Sequence, residues 1–170
     1  PLAQTSGNAR VIDVRQLVGE TKHDHWPASP VITADHIEAY EKKFGKLKPG
    51  DIVLFRTGHV DTHFKLLPKG KACMADPING LSEGWPAPDA AAILHLAKRG
   101  VRCVGTDAPT LGGVNPRQAL FTYWELGTNG MVGVEFLTSL GQLPKKAYFL
   151  FAPVKIKGCH GGPGRAIALH

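Results

Sequence analysis

Ile52-Val53-Leu54-Phe55 is an unbroken apolar run, entered through the turn Lys48-Pro49-Gly50-Asp51 and left at Arg56-Thr57-Gly58. Four apolar residues with no polar alternate read as a strand buried on both faces, the pattern of a sheet covered by helices. Upstream, Ile37, Tyr40 and Phe44 recur at helical spacing behind Thr33 or Asp35 as the cap, and Gly45 ends the helix. Further back, Val11-Ile12-Asp13-Val14 forms a second short β-branched strand. Strand, helix, strand is the unit from which the rest is built.

Downstream, residues 56–88 carry Gly58, Pro68, Gly70, Pro77, Gly80, Gly84, Pro86 and Pro88 and read as one long irregular loop, a kind that usually serves function. Asp89 caps the next helix, which Gly100 closes, and Val101-Arg102-Cys103-Val104-Gly105 returns as a strand. A helix over 116–124, a short strand over 131–134, a helical turn over 136–140 and a last long strand over 147–154 complete the pattern. The alternation predicts an α/β fold with a mixed sheet. With no repeat and no linker, 1–170 reads as one domain.

The chain has 170 residues, 43% apolar and 20% charged, enough for a real core and against disorder. Its net charge of +6 is spread over scattered lysines, among them Lys42, Lys43, Lys46, Lys48, Lys65, Lys69, Lys71, Lys145, Lys146, Lys155 and Lys157. No helical stripe gathers them, so the charge predicts solubility or attraction of an anionic substrate and no nucleic-acid partner. No apolar run approaches the roughly 18–20 residues that cross a bilayer, and the N-terminus lacks a secretory pattern. Cys73, Cys103 and Cys159 form no CxxC pair, which argues against a disulfide framework or zinc ribbon and for a reducing cytoplasm. Pro1 stands where an initiator Met would, so the chain reads as processed or as the downstream part of something longer.

Several clusters could carry chemistry. If extended, His59-Val60-Asp61-Thr62-His63 would put His59, Asp61 and His63 on one face as a clamp for zinc or manganese; the alternative is a solvated polar loop. His23-Asp24-His25 is a shorter stretch of the same kind, whereas His36 and His95 read as helix residues. Glu135 ends the apolar run 131–134, where a buried carboxylate needs a metal, a cation or a proton, unless it serves as a cap or an arginine partner. Asp107 follows a strand, where α/β sheets place their functional loops, though an aspartate also suits a turn. In Gly158-Cys159-His160-Gly161-Gly162-Pro163-Gly164-Arg165, the glycines permit close approach of a ligand to His160 and Arg165, or serve a hairpin. Trp26, Trp85, Trp124 and Phe64 could wall a planar substrate or pack in the core or a dimer contact.

In order along the chain, ARVIDV, DIVLFRTG, GTDAPTLGG, MVGVEFL and FLFAPVKIKGCHGGPGRAIAL resemble the cyclase family, metal-dependent amide hydrolases of the kynurenine formamidase and isatin hydrolase kind. The resemblance implies a swivelling β/β/α fold, incomplete at its N-terminus, in a homodimer or larger assembly. It also implies a zinc or manganese centre that activates water to open an amide or lactam bond. Glu135 matches the family's metal-bridging glutamate. Tyr123 stands at the position of the family's second-metal histidine, twelve residues earlier. The family's HxxxHxDxxxH motif lies upstream of the segment matching ARVIDV, and neither HDHWP nor HVDTH is that motif. The expectation is a metal-dependent hydrolase of an N-formyl aromatic amine or cyclic amide, as in tryptophan catabolism, with this chain as its downstream portion. Arg165, His160, Asp107 and Trp85 are the expected substrate contacts, Glu135 the metal ligand, and an upstream segment or second subunit the source of the other ligands. A non-catalytic binding or assembly protein on the same scaffold is the alternative, and Tyr123 is the feature that supports it.

Overall fold

The computed structural model describes residues 2–170, and the reading of Pro1 lies outside them. The first half runs β1 (Ser6–Asp13), β2 (Val31–Ile32), α1 (Ala34–Phe44), β3 (Ile52–Arg56), α2 (His59–His63), α3 (Ala75–Ile78) and β4 (Ala87–Pro88). The second half runs α4 (Ala90–Lys98), β5 (Cys103–Thr106), α5 (Pro116–Thr128), β6 (Val132–Val134), β7 (Lys146–Pro153) and β8 (Gly164–Leu169). Six strands form one mixed sheet in the order β6-β5-β3-β1-β7-β8, and β2 and β4 pair in a small second sheet. From β6 to β1 the pairing is parallel, and β7 and β8 are added antiparallel. The α/β class and the mixed sheet are as expected.

β3 lies inside the sheet, and Ile52, Val53, Leu54 and Phe55 are all fully buried. The period of two sorts its neighbours between two cores. Ile12, Val53, Phe55 and Val104 meet Ile37, Ile93, Leu96 and Leu126 of the helices. Val11, Ile52, Leu54, Cys103 and Val134 pack on the other face with Leu137, Leu140 and Phe149.

The helices start where their caps dictate. Asp89 accepts from the Ala92 amide at 2.7 Å, and Asn115 accepts from Arg117 and Gln118 ahead of Pro116 at the first turn. Between Thr33 and Asp35 the structure selects Thr33, whose amide donates to His36 Nδ1 at 3.0 Å. Gly100, with φ of 77°, ends α4 in the left-handed region, and a Cβ there would lie 2.9 Å from Pro49.

Two buried charges fasten α1. Arg10 reaches from β1 to the last carbonyls of that helix, donating to Gly45 O at 2.7 Å and Phe44 O at 3.0 Å. Glu41 accepts the Leu47 amide at 2.9 Å and the Arg99 guanidinium at 2.9–3.2 Å, which ties α1 to the end of α4.

Three local expectations are corrected. Residues 56–88 are not one irregular loop, because α2, α3 and a 3-10 turn over Lys69–Cys73 organise them. His59–His63 is helical, because Gly58 takes φ of 72° and turns the chain sharply out of β3. Over 136–140 the expected helical turn is broken by Phe136 and Ser139, each at φ of 61°, and a 3-10 turn starts only at Leu140.

Candidate functional site

The carboxyl ends of the parallel strands gather most of the polar side chains of interest, where open α/β sheets place their ligands. β3 leads into Thr57-Gly58-His59, β5 into Asp107, and β6 into Glu135.

Asp107 is fully buried. Its Oδ1 accepts from the Thr57 amide at 2.5 Å and the Thr57 hydroxyl at 2.7 Å, and Oδ2 accepts from the Gly58 amide at 3.0 Å. Burial pushes its carboxyl above the ordinary aspartate value, helped by the nearby charge of Asp61 and opposed by the donors of Thr57 and Gly58. The residue therefore clamps the turn between β3 and α2.

Glu135 is half-buried. Its Oε1 accepts the Leu111 amide at 2.7 Å and also the Tyr123 hydroxyl in a short hydrogen bond. The Tyr123 ring comes against Gly112, where a Cβ would lie 3.0 Å from Cε2 and still closer to Ala119, so this turn needs a glycine. Burial of the hydroxyl, then the hydrogen bond and charge of Glu135, push the phenol far above the usual tyrosine value. Tyr123 is thus a fixed neutral donor.

α2 presents His59 and His63 one helical turn apart, with ring centroids 4.7 Å apart. His59 is buried and places Nε2 2.8 Å from Cys73 O. Burial holds both imidazoles below the ordinary histidine value; His63 adds to this for His59, and Lys65 for His63, while the Cys73 carbonyl acts the other way on His59. Both rings line a cavity of about 310 Å³ together with Val18, Thr57, Ser82 and Glu83. Asp61 does not join them. Both its oxygens lie 3.0 Å from the Ser139 amide, so the three-residue clamp read from an extended HVDTH is not formed.

Of the residues singled out from sequence, Asp107, Glu135 and Trp85 converge on the 107–111 turn. Leu111 donates to Glu135, and the Trp85 indole donates to Thr110 O at 2.9 Å. Trp85 is buried at 1% exposure in a cluster with Ala87, Ala108 and Val114, and its ring edge meets His59. His160 and Arg165 are exposed on the β7–β8 hairpin, at the opposite edge of the sheet from β6. Sequence reasoning missed the Tyr123–Glu135 hydrogen bond and the i, i+4 pairing of His59 and His63. The signal for the latter was present in Gly58, which can start a helix as readily as it ends a strand.

Known proteins resemble this chain throughout. The Cyclase family model, described as "Putative cyclase", matches residues 1–112. Isatin hydrolase of Roseibium aggregatum is 35% identical over 176 aligned positions, which cover 97% of this chain and 64% of that protein. A crystal structure of an isatin hydrolase bound to the product analogue thioisatinate superposes with a TM-score of 0.77 at 25% identity, covering 100% of this chain and 62% of its own. Isatin hydrolase A from Ralstonia solanacearum gives 0.73 at 27% identity, over 98% of this chain and 60% of its own. A potential metal-dependent hydrolase with cyclase activity shares the fold, with a TM-score of 0.68 at 21% identity, over 99% of this chain and 67% of its own. The chain therefore spans about three-fifths of the length of the isatin hydrolases it matches.

Proposed function

Because the chain belongs to the cyclase family, we propose that it forms the larger part of a hydrolase that opens the amide bond of an N-formyl aromatic amine or a cyclic amide. The observation that carries this is the 35% identity to an isatin hydrolase across 97% of the chain. Glu135, at the carboxyl end of β6, supports it.

In this reading Glu135 is the metal ligand, and the cation is zinc or manganese. Its Oε1 is already engaged by Leu111 and Tyr123. Among the described residues no cluster of three His, Cys, Asp or Glu side chains could hold a metal ion, whereas a hydrolytic metal normally takes three protein ligands. These residues alone do not fit such a centre. The reading therefore assigns the remaining ligands to an upstream segment or a second subunit of a homo-oligomer.

The chain's own contribution is positional. Asp107 fixes the turn that leads into the His59–His63 cavity, Trp85 backs His59, and Tyr123 holds the Glu135 carboxylate in one orientation. Within one chain the β7–β8 hairpin and Glu135 lie at opposite edges of the sheet, so in this reading the contact of Arg165 with the substrate's carboxylate, and the ligand-facing His160, come from the hairpin of a second copy. The three unpaired cysteines suit a reducing cytoplasm. Among the described residues no helix is long and apolar enough to cross a membrane.

The test is release of formate from N-formyl aromatic amines, or ring opening of isatin-like cyclic amides, by the longest natural form of the polypeptide with added manganese or zinc. Turnover that Glu135→Gln abolishes is expected. Absence of turnover on every such amide, with no metal taken up, would overturn the reading. A binding or assembly role is the second reading, favoured by the Tyr123 phenol lying on the Glu135 carboxylate. A folded, ligand-binding and inactive full-length protein would establish it.

A further inference from the structure

The hydrolase reading gives His59 and His63 no role as ligands, yet their geometry is specific. A backbone carbonyl only accepts, so the 2.8 Å contact of His59 Nε2 with Cys73 O places the hydrogen on Nε2 and leaves the Nδ1 lone pair free. An outer ring N–H held on a carbonyl is the arrangement that fixes the tautomer and orientation of a metal-binding imidazole. His63 lies four residues on, on the same face of α2, with its ring centroid 4.7 Å from that of His59. Two histidines one helical turn apart can both reach a cation lying between their rings.

The surroundings decide what kind of cation. Asp61 is turned to the Ser139 amide. Glu83, on the wall of the same cavity, is occupied by the Gly19 amide at 2.5 Å and by the amide and hydroxyl of Thr21 at 2.7 and 2.6 Å. The available donors are two neutral nitrogens and no carboxylate. Magnesium and calcium require oxygen ligands, whereas imidazole suits copper, nickel and zinc. The cavity of about 310 Å³ leaves room for water to complete the coordination shell.

We propose that His59 and His63 form a two-imidazole site for a divalent transition-metal cation, open to the cavity and separate from Glu135. The site stands on this geometry and does not depend on the hydrolase reading.

Titration of the full chain with Cu(II), followed by calorimetry and electron paramagnetic resonance, tests it. One tight equivalent with the hyperfine pattern of two coordinated nitrogens is expected. His63→Gln, at a half-exposed position, should weaken that equivalent by at least about tenfold and reduce the pattern to one nitrogen. His59→Gln should do the same, with circular dichroism to verify folding. Paired His23→Gln and His25→Gln, which remove the other two histidines that stand close together in sequence, should leave it intact. Retention of the equivalent in folded His63→Gln, its loss in the His23/His25 pair, or no tight equivalent in the unaltered chain would each overturn the proposal. Failure of the amide-hydrolysis assay would sink the hydrolase reading and leave this one standing.

Discussion

Tyr123 and the Leu111 amide converge on the same oxygen, Oε1 of Glu135, so this carboxylate is held from α5 and from the turn after β5 together. The phenol thereby donates to a group that only accepts, which favours its protonated form.

Tyr123 should not ionise in the ordinary tyrosine range near about 10. The difference in ultraviolet absorbance between the unaltered chain and Tyr123→Phe, recorded against pH, is expected to stay flat through that range. Its folded pKa is raised, so the stability it confers is full below the unfolded value and falls as pH climbs through the folded one. A normal phenolate step in the difference spectrum would show that the hydrogen bond is not maintained.

Asp107→Ala removes the acceptor for two backbone amides and a hydroxyl, all buried or nearly so. Unpaired buried donors predict a loss of about 2–4 kcal/mol in urea unfolding. The carboxyl is raised above its unfolded value, chiefly by burial, so ionising it costs stability as pH rises through the folded pKa. A loss below about 1 kcal/mol would mean that the turn does not depend on this clamp.

Asp61→Ala should free the Ser139 amide and loosen the segment that follows Glu135. Phe136 and Ser139 both sit at φ of 61°, a conformation that costs side-chain-bearing residues energy. Besides Asp61, the Phe64 ring just past α2 holds this segment, edge-on to Phe136 at 5.3 Å. Hydrogen exchange over 136–142 should rise by about tenfold, the equivalent of one charge-assisted hydrogen bond. Unchanged exchange would assign the conformation to the segment itself.

Glu41→Gln should flatten the acid side of the stability profile. Burial alone would raise this carboxyl, but the Arg99 hydrogen bond, the Leu47 amide, the Arg99 charge and His95 together hold it below its ordinary value. The stability it confers is present above the unfolded pKa and lost as pH falls through the lowered folded one. Thermal melts of the two proteins between about pH 6 and pH 3 are expected to differ most at the upper end and to converge toward the acid end.

The elements that local chemistry controls could be read from the chain. Ile52–Phe55 declares its double burial by lacking polar alternates, and Asp89, Asn115 and Pro116 announce the starts of their helices. What escaped reading depends on contacts distant in sequence. HVDTH has a period-two pattern on paper, but Gly58 turns the chain and Val60 donates to Asp107 O at 2.9 Å, so a helical turn forms instead. Similarly, nothing local to Phe136 or Ser139 favours a left-handed backbone; the partners that hold it are Asp61 on α2, Phe64 just past that helix, and Ala108 O, which accepts the Phe136 amide at 3.0 Å. Glu135 could be placed at the end of its strand, but its hydrogen bond from Tyr123 required the packing of α5 over Gly112. Trp85 was open to two readings, and burial places it inside.

β1 joins the parallel half of the sheet to the antiparallel half, through β3 on one side and β7 on the other. The Thr5 hydroxyl beside it bonds to Phe151 O across 146 residues of chain. During translation the β1–β3 pair can therefore form early, while the other flank of β1 waits until Lys146–Pro153 has left the ribosome. Such high contact order slows folding and leaves apolar surface uncovered in the interval. Nascent chains stalled before Lys146 should be the species that chaperones hold most firmly.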